Sequence, residues 1–504
     1  MVSKGSIPYY FFEITAIPLL LCSFILCGCA TNPATKQLEF MTVSENHEFE
    51  IGQDVDKQVR EEMGLYLELP ELRSFVKNMV ESIGRQSDRP GLVYRIEIVD
   101  TPDFNAFAVP GGFVYVHRGL LERMNSSDEL ASVLGHEIAH VAARHSAAQI
   151  SKSQLLNIGL LALLVGTGGE AQNYGQFINM GAALAFNKFS RDDEREADHF
   201  GTKYMLKAGY NPKASIDMME QLQKLQKKEP SSLDVWFMTH PATSERISNL
   251  SHEIDLIRQN QPEVLDRPIQ RNEFIAMLDG LAVGEWNGSE LIKEDHYYNK
   301  EYLLRLAIPE AWISRINSKE HTSVFVNPGK GFLVNLNIEP LQARRSTANY
   351  FIGFESNLKR LGLKKIESFK TIGKLPHGAL ASAFYRYDSN TGAIMVEGIA
   401  FTKGTNGFSL IGICRKKDFK GFQSLVESMA ESIKFISHKE AADIKPTRLR
   451  VHKVKKGETW ASITRKYFAS SKEMARLAEY NGFEPSKKLT VGNLLKIPPT
   501  LHIR

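Results

Sequence analysis

Between residues 44 and 260 apolar positions recur mostly at intervals of three and four, the period of helices with one buried face. The stretch YRIEIVDTPDFNAFAVPGGFVYVHRGLL, residues 94–121, breaks that period. Its segments RIEIV and FVYVH read as strands joined through a Pro-Gly-Gly turn. A helix is predicted from Ser126, because Glu129 three residues on completes a capping-box pattern. The apolar run 155–168 is too short to span a membrane and reads as a buried helix, with a flap beside the site as the alternative.

After a connector at 266–295 the period changes to two. FLVNLNIEP puts Phe332, Val334, Leu336 and Ile338 on one face. ASAFYRYDSNTGAIMVEGIAFTKGTNGFSLIGIC reads as three antiparallel strands with two turns. A helix follows, with Phe422, Leu425, Val426, Met429 and Ile433 at helical spacing. The expectation is an α+β domain over 296–437, which loosely resembles the PsbP/Mog1 sandwich, and a polar, basic linker over 438–451.

At 504 residues the chain is too long for one core. Hydrophobic content of 43% and charged content of 24% argue against wholesale disorder. A net charge of +4 is small for this length and does not suggest nucleic acid as a partner, because a duplex binder usually carries a concentrated basic face. The apolar run ITAIPLLLCSFILCGCA, residues 14–30, follows Lys4 and reads as a secretory signal over 1–28. Its exit, Leu26-Cys27-Gly28-Cys29, resembles a bacterial lipobox, which implies lipidation of Cys29 and a membrane anchor. Only Cys414 would then remain as a second thiol, so no internal disulfide is expected.

Candidate chemistry lies in SSDELASVLGHEIAHVAARH, residues 126–145. On a helix, residues four apart are offset by about 40°, so His136 and His140 project from one face and can share a cation. Glu137, offset by about 100°, can hold a water and take its proton without ligating. The small apolar neighbours place this helix inside a domain. A catalytic zinc needs a third protein ligand and an open position. In FNKFSRDDEREADHFG, Glu194 and Asp198 share a helix face. Glu194 would ligate, and Asp198 would accept the outer N–H of a ligand histidine.

HEIAHVAARH followed by SRDDEREAD resembles the zinc metalloproteases of the HtpX, CAAX-prenyl-protease and BepA type, a gluzincin pattern of HExxH and ExxAD. NAFAVPGGFVYVHRGLL and HPATSERI also match that family, over roughly residues 40–255. The resemblance implies a mainly helical zincin-like domain over 29–265 with a small sheet and one Zn2+ per chain. The ion would be held by His136, His140 and Glu194, with Glu137 as general base. It also makes His240 and Arg246 candidates to stabilise the oxyanion, with His240 alternatively closing the site as a fourth ligand. FVYVH is expected to offer an exposed strand edge to an extended substrate. The transmembrane helices of HtpX and the prenyl proteases are not evident, which argues against a prenylated or intramembrane substrate; the repeats of BepA-type lipoproteins are not evident either, so assembly roles tied to those repeats are not implied.

HKVKKGETWASITRKYFASSKEMARLAEYNGFEPSKKLTVGNLLKIP, residues 452–498, resembles a LysM domain, a βααβ module, with Gly457-Glu458-Thr459 where Gly-Asp-Thr is usual. The resemblance implies binding of peptidoglycan through Gly457, Glu458, Thr459, Asn481 and Gly482. The whole chain thus reads as a multidomain, lipid-anchored periplasmic zinc endopeptidase at the inner leaflet of the outer membrane. Its expected substrates are unfolded or misassembled envelope proteins. The alternatives are a peptidoglycan-bound, chaperone-like scaffold with a silent zinc site, and a hydrolase of wall peptides.

Overall fold

The computed structural model describes residues 29–166, 189–228, 236, 240, 244–286, 288–310, 312–317, 322–360, 363–375, 378–389 and 392–501. The expected leader, 1–28, lies outside them, as do the end of the apolar run 155–168 and its side chains from 156 onward.

A two-stranded ribbon, β1 (Cys29–Thr31) and β2 (Leu38–Phe40), precedes α1 (Glu45–Glu62) and α2 (Pro70–Arg85). Pro70 stands at the start of α2, where a missing N–H costs nothing. Next come β3 (Arg95–Val99), β4 (Ala106–Val109) and β5 (Phe113–His117), then α3 (Arg118–Arg123), α4 (Ser127–Ala142) and α5 (His145–Gly166).

Two expectations change here. The Pro110-Gly111-Gly112 turn joins β4 to β5, so RIEIV and FVYVH are separated by a third strand, AFAV. FVYVH is also the central strand, parallel to β3 and antiparallel to β4, with all five residues buried. It has no free edge for a substrate, because AFAV occupies the side that the sequence left open. The edge strands are β3 and β4.

Ser126 Oγ accepts the Glu129 N–H, while Glu129 Oε2 accepts the N–H of Asn125 at 2.7 Å, so the cap closes one residue earlier than a standard box. Helix α4 is buried almost throughout, as its run of small and aliphatic residues requires. The domain continues with α6 (Arg191–Lys207), α7 (Lys213–Lys228), α8 (Ser244–Asn260), α9 (Asn272–Met277) and β6 (Ala282–Val283). Helices α4 and α6 touch through Gly135 and Gly201: a Cβ on Gly201 would lie 2.8 Å from the backbone nitrogen of His136. The stretch read as a connector packs Phe274, Ile275, Leu278 and Leu281 into the same core.

The second body is antiparallel. It comprises β7 (Glu290–Lys293), β8 (His296–Asn299), β9 (Leu304–Ala307), β10 (Ile313–Asn317), β11 (Thr322–Asn327), β12 (Phe332–Pro340), α10 (Thr347–Arg360), β13 (Lys364–Leu375), β14 (Gly378–Ser389), β15 (Gly392–Lys403), β16 (Asn406–Arg415), α11 (Phe419–Glu431) and β17 (Lys434–Phe435). Seven strands form one sheet in the order β10-β11-β12-β16-β15-β14-β13, and β17-β9-β8-β7 form another. The three strands expected from 381 to 414 are β14, β15 and β16. Phe332, Val334, Leu336 and Ile338 are buried together with Phe422, Val426 and Met429. Alternate residues of β15 meet different helices: Met395 and Ile399 share the α11 side, Val396 and Ala400 the α10 side.

The segment expected as a linker contains α12 (His438–Asp443) and β18 (Thr447–Arg448), which pairs with β6, and buries Leu449 in the first core. The last body is β19 (Arg450–Lys453), α13 (Trp460–Phe468), α14 (Met474–Tyr480) and β20 (Leu494–Ile497), with β19 and β20 antiparallel. No helix of the described residues is long and apolar enough to cross a membrane.

Candidate metal centre

The capping box at the start of α6 uses Ser190 and Asp193, so the third acidic residue of the turn, Glu194, is free to face inward. It meets the histidines of α4. His136, His140, Glu194 and His240 are all buried and present one ligand atom each within 4.8 Å of one another. His136 Nε2 lies 3.1 Å from His140 Nε2 and 3.3 Å from His240 Nδ1. Glu194 Oε1 lies 2.9 Å from His240 Nδ1 and 3.5 Å from His140 Nε2.

These spacings suit one tetrahedral ion, since bonds of about 2.0–2.1 Å put ligand atoms roughly 3.3 Å apart. The donor chemistry agrees. Burial holds His140 well below its ordinary imidazole pKa, leaving it neutral with a lone pair to give. Burial opposes ionisation of Glu194, but His240 and His140 beside it hold its carboxyl well below the usual range. Glu137 is also buried, and one of its oxygens, Oε1, has no hydrogen-bond partner. Burial raises the Glu137 pKa, against the pull of His240 and His136. A carboxyl placed beside the four candidate ligands suits proton transfer.

Asp198 Oδ1 lies 3.0 Å from His136 Nδ1, the contact expected from its position one turn after Glu194. Arg246, a candidate for the oxyanion, turns its guanidinium to two buried carboxylates. Its Nε and Nη2 donate to the two Asp198 oxygens at 2.7 and 2.6 Å, and its Nη1 lies 2.8 Å from Glu194 Oε2. His240 sits with Nδ1 in the cluster and Nε2 3.7 Å from Glu137 Oε1, backed by Trp236 at 4.7 Å.

Sequence reasoning missed His145, whose Nδ1 lies 2.8 Å from His140 Nδ1, and Phe189, stacked on His140 at 4.0 Å. His145 stood in the same quoted stretch, but five residues after His140 is the wrong spacing for a continuous helix. The Gly135 and Gly201 contact was legible only as two small residues.

In the last body, Gly457 and Thr459 are exposed, and Thr459 caps α13. Glu458 Oε2 binds His452 Nε2 at 2.8 Å and the Lys455 N–H at 2.7 Å. Asn481 departs from its expected glycan role. It is wholly buried, donating to Leu477 O and Lys496 O and accepting the Lys496 N–H. Its amide is consumed in joining α14 to β20. Gly482, at φ +71°, is turned toward Asn125 of the first domain, where a Cβ would come within 2.9 Å of the side-chain nitrogen. Cys414 is buried and outside any disulfide.

The chain matches the model of peptidase family M48 over residues 67–254 and that of the LysM domain over residues 452–498. Among curated proteins it is similar to the mitochondrial metalloendopeptidase OMA1 of Schizosaccharomyces pombe, 30% identical over 43% of this chain and 64% of that one. It is 30% identical to the metalloprotease YcaL of Escherichia coli, over 35% of this chain and 67% of that one. It is 27% identical to the beta-barrel assembly-enhancing protease of Yersinia pestis, over 41% of this chain and 44% of that one. The chain spans 64%, 47% and 30% of the lengths of three OMA1 proteins. Among solved structures, cyanobacterial PsbP from Synechocystis sp. PCC 6803 matches at 10% identity and a TM-score of 0.23, over 30% of this chain and 98% of that one. The match across the helices that carry His136, His140 and Glu194, together with 30% identity to a relative spanned over 67% of its length, makes this chain a member of peptidase family M48 that ends in a LysM domain.

Proposed function

We propose that this chain is a zinc-dependent endopeptidase of the bacterial cell envelope that degrades misfolded or misassembled envelope proteins. The observation that carries the reading is the buried quartet of His136, His140, Glu194 and His240 with an unpartnered oxygen of Glu137 beside it. Zinc held there supplies Lewis acidity and makes water a nucleophile near neutral pH. Glu137 takes the proton of the attacking water and delivers it to the leaving amine. The edge of β4, which packs on the helix carrying Glu137, suits an extended chain, so cleavage favours unfolded segments. Asp198 and Arg246 hold His136 and Glu194 in place.

The envelope assignment rests on the LysM match, which suggests peptidoglycan as a partner, and on likeness to a protein named a beta-barrel assembly-enhancing protease. Of the residues named for glycan, Gly457, Glu458 and Thr459 remain candidates. Lipidation at Cys29 and an outer-membrane position belong to the same proposal, as does a PsbP/Mog1-like fold for the middle domain.

His240 favours a second state of the same enzyme. Its Nδ1 fills the fourth corner that a water needs, which describes a self-blocked resting form and leaves room for a scaffold role. The deciding experiment is hydrolysis of unfolded casein by zinc-loaded protein, before and after chelation and with Glu137→Gln. Cleavage should stop with the variant while zinc stays bound. Equal cleavage by Glu137→Gln removes the mechanism, and zinc binding without any cleavage selects the scaffold.

A further inference from the structure

The geometry points to His145 as a positioning residue that fixes the tautomer and orientation of His140 and links it to the carboxylate of Glu196. This rests on the zinc reading above and deepens it.

The two ligand histidines of α4 are braced differently. His136 faces a carboxylate directly, Asp198 at 3.0 Å. His140 Nδ1 faces another imidazole, His145 Nδ1 at 2.8 Å, and His145 Nε2 lies 3.2 Å from Glu196 Oε2. His145 is buried, while about a third of the Glu196 side chain is exposed.

Proton bookkeeping allows one arrangement when His140 ligates through Nε2. That nitrogen then has no hydrogen, so Nδ1 carries it and must donate. His145 Nδ1 is the acceptor, which leaves the hydrogen of His145 on Nε2, aimed at Glu196. Each ring thus specifies the tautomer of the next, ending on an anion that stabilises the donor. Such outer partners orient metal-bound imidazoles and raise their basicity.

The backbone is bent to make this contact. On an uninterrupted helix His145 would stand about 140° around the axis from His140, facing away. Instead α4 ends at Ala142, and Arg144 takes a left-handed conformation with φ of +59°, after which α5 begins at His145. A residue with a Cβ is strained in that region. Two bonds hold it there: Arg144 Nε to Glu48 Oε1 and Nη2 to the Val43 carbonyl, both 2.7 Å. The strained turn folds His145 back under His140.

The test needs no peptide cleavage. In zinc-loaded wild-type protein, long-range nitrogen–proton NMR should find His140 with its hydrogen on Nδ1 and His145 with its hydrogen on Nε2. A His145 hydrogen on Nδ1 overturns the inference, and this measurement requires no variant to fold. His145→Leu should weaken zinc about 10–100-fold and alter the cobalt(II) absorption spectrum. His145→Asn, whose Oδ1 can stand near the lost Nδ1, should recover most of the affinity. Unchanged zinc affinity and cobalt spectrum in His145→Leu remove this inference and leave the zinc site standing. Wild-type protein that takes up no stoichiometric zinc removes both.

Discussion

The Nζ of Lys496, on the last strand of the LysM domain, lies 2.7 Å from the carbonyl oxygen of Glu122 and 2.8 Å from that of Met124, between α3 and the helix that carries His136 and His140. The lysine is wholly buried, and burial drives its pKa well below the ordinary value. Tyr480 reaches Glu122 Oε1 at 2.8 Å, and Arg271 lies over the Phe483 ring at 4.6 Å. The LysM domain is therefore docked on the peptidase domain. Lys496→Met leaves two buried carbonyls without donors, at about 1–3 kcal/mol. Thermal unfolding should show the peptidase domain melting earlier in this variant. Two independent transitions, with the peptidase one unmoved, would contradict the docking.

The crossing of α4 and α6 makes a steric prediction. A Cβ on Gly201 meets backbone atoms of His136 and Gly135 at 2.8–2.9 Å, and backbone cannot yield as a flexible side chain can. Gly201→Ala should cost about 1–3 kcal/mol of stability. It should also weaken zinc, because it separates Glu194 from the histidines. Denaturant titration and zinc competition check the two effects separately. Full zinc affinity in a destabilised variant would show that the helices move apart without disturbing the ligands.

Asp198 supports two partners, His136 and Arg246. The guanidinium overcomes burial and keeps the Asp198 pKa below its ordinary value, so it is an anion. Asp198→Asn removes the charge that braces His136 and leaves Arg246 paired with Glu194 alone. Zinc affinity should fall about 10–100-fold. Competition with a chromogenic chelator measures this directly, and a wild-type value would refute the bracing role.

Glu397 on β15 is wholly buried, with neither carboxyl oxygen hydrogen-bonded. Burial and the nearby Glu427 of α11 push its pKa from 4.5 up to about 8. Between those values the folded chain keeps a proton that the unfolded chain has released. The contribution of Glu397 to the stability of the middle domain should therefore be fully present below the lower value, fall as pH rises, and be lost above the higher one. Glu397→Gln should flatten this slope and outlast wild type in thermal melts above pH 8. Parallel melting curves across the window would exclude Glu397 as the cause.

The sequence alone determined whatever depends on local spacing. A spacing of four from His136 to His140 suffices to put both on one helix face, Ser126 suffices to start that helix, and period two in FLVNLNIEP suffices for a one-sided strand. Glu194 and Asp198 followed the same helical rule, and the LysM segment was legible from its motif residues. Tertiary structure decided the rest. FVYVH and AFAV are both short apolar runs, and nothing local says which lies at the edge, because strand order is set by pairing. Arg246 found carboxylates, Asn481 was consumed by its own module and by Arg271 of the peptidase domain, and His145 reached His140 through a left-handed turn at Arg144, stabilised by Glu48, 96 residues before that arginine. These outcomes depend on which surfaces exclude water together, and helical or strand periodicity carries no information about that.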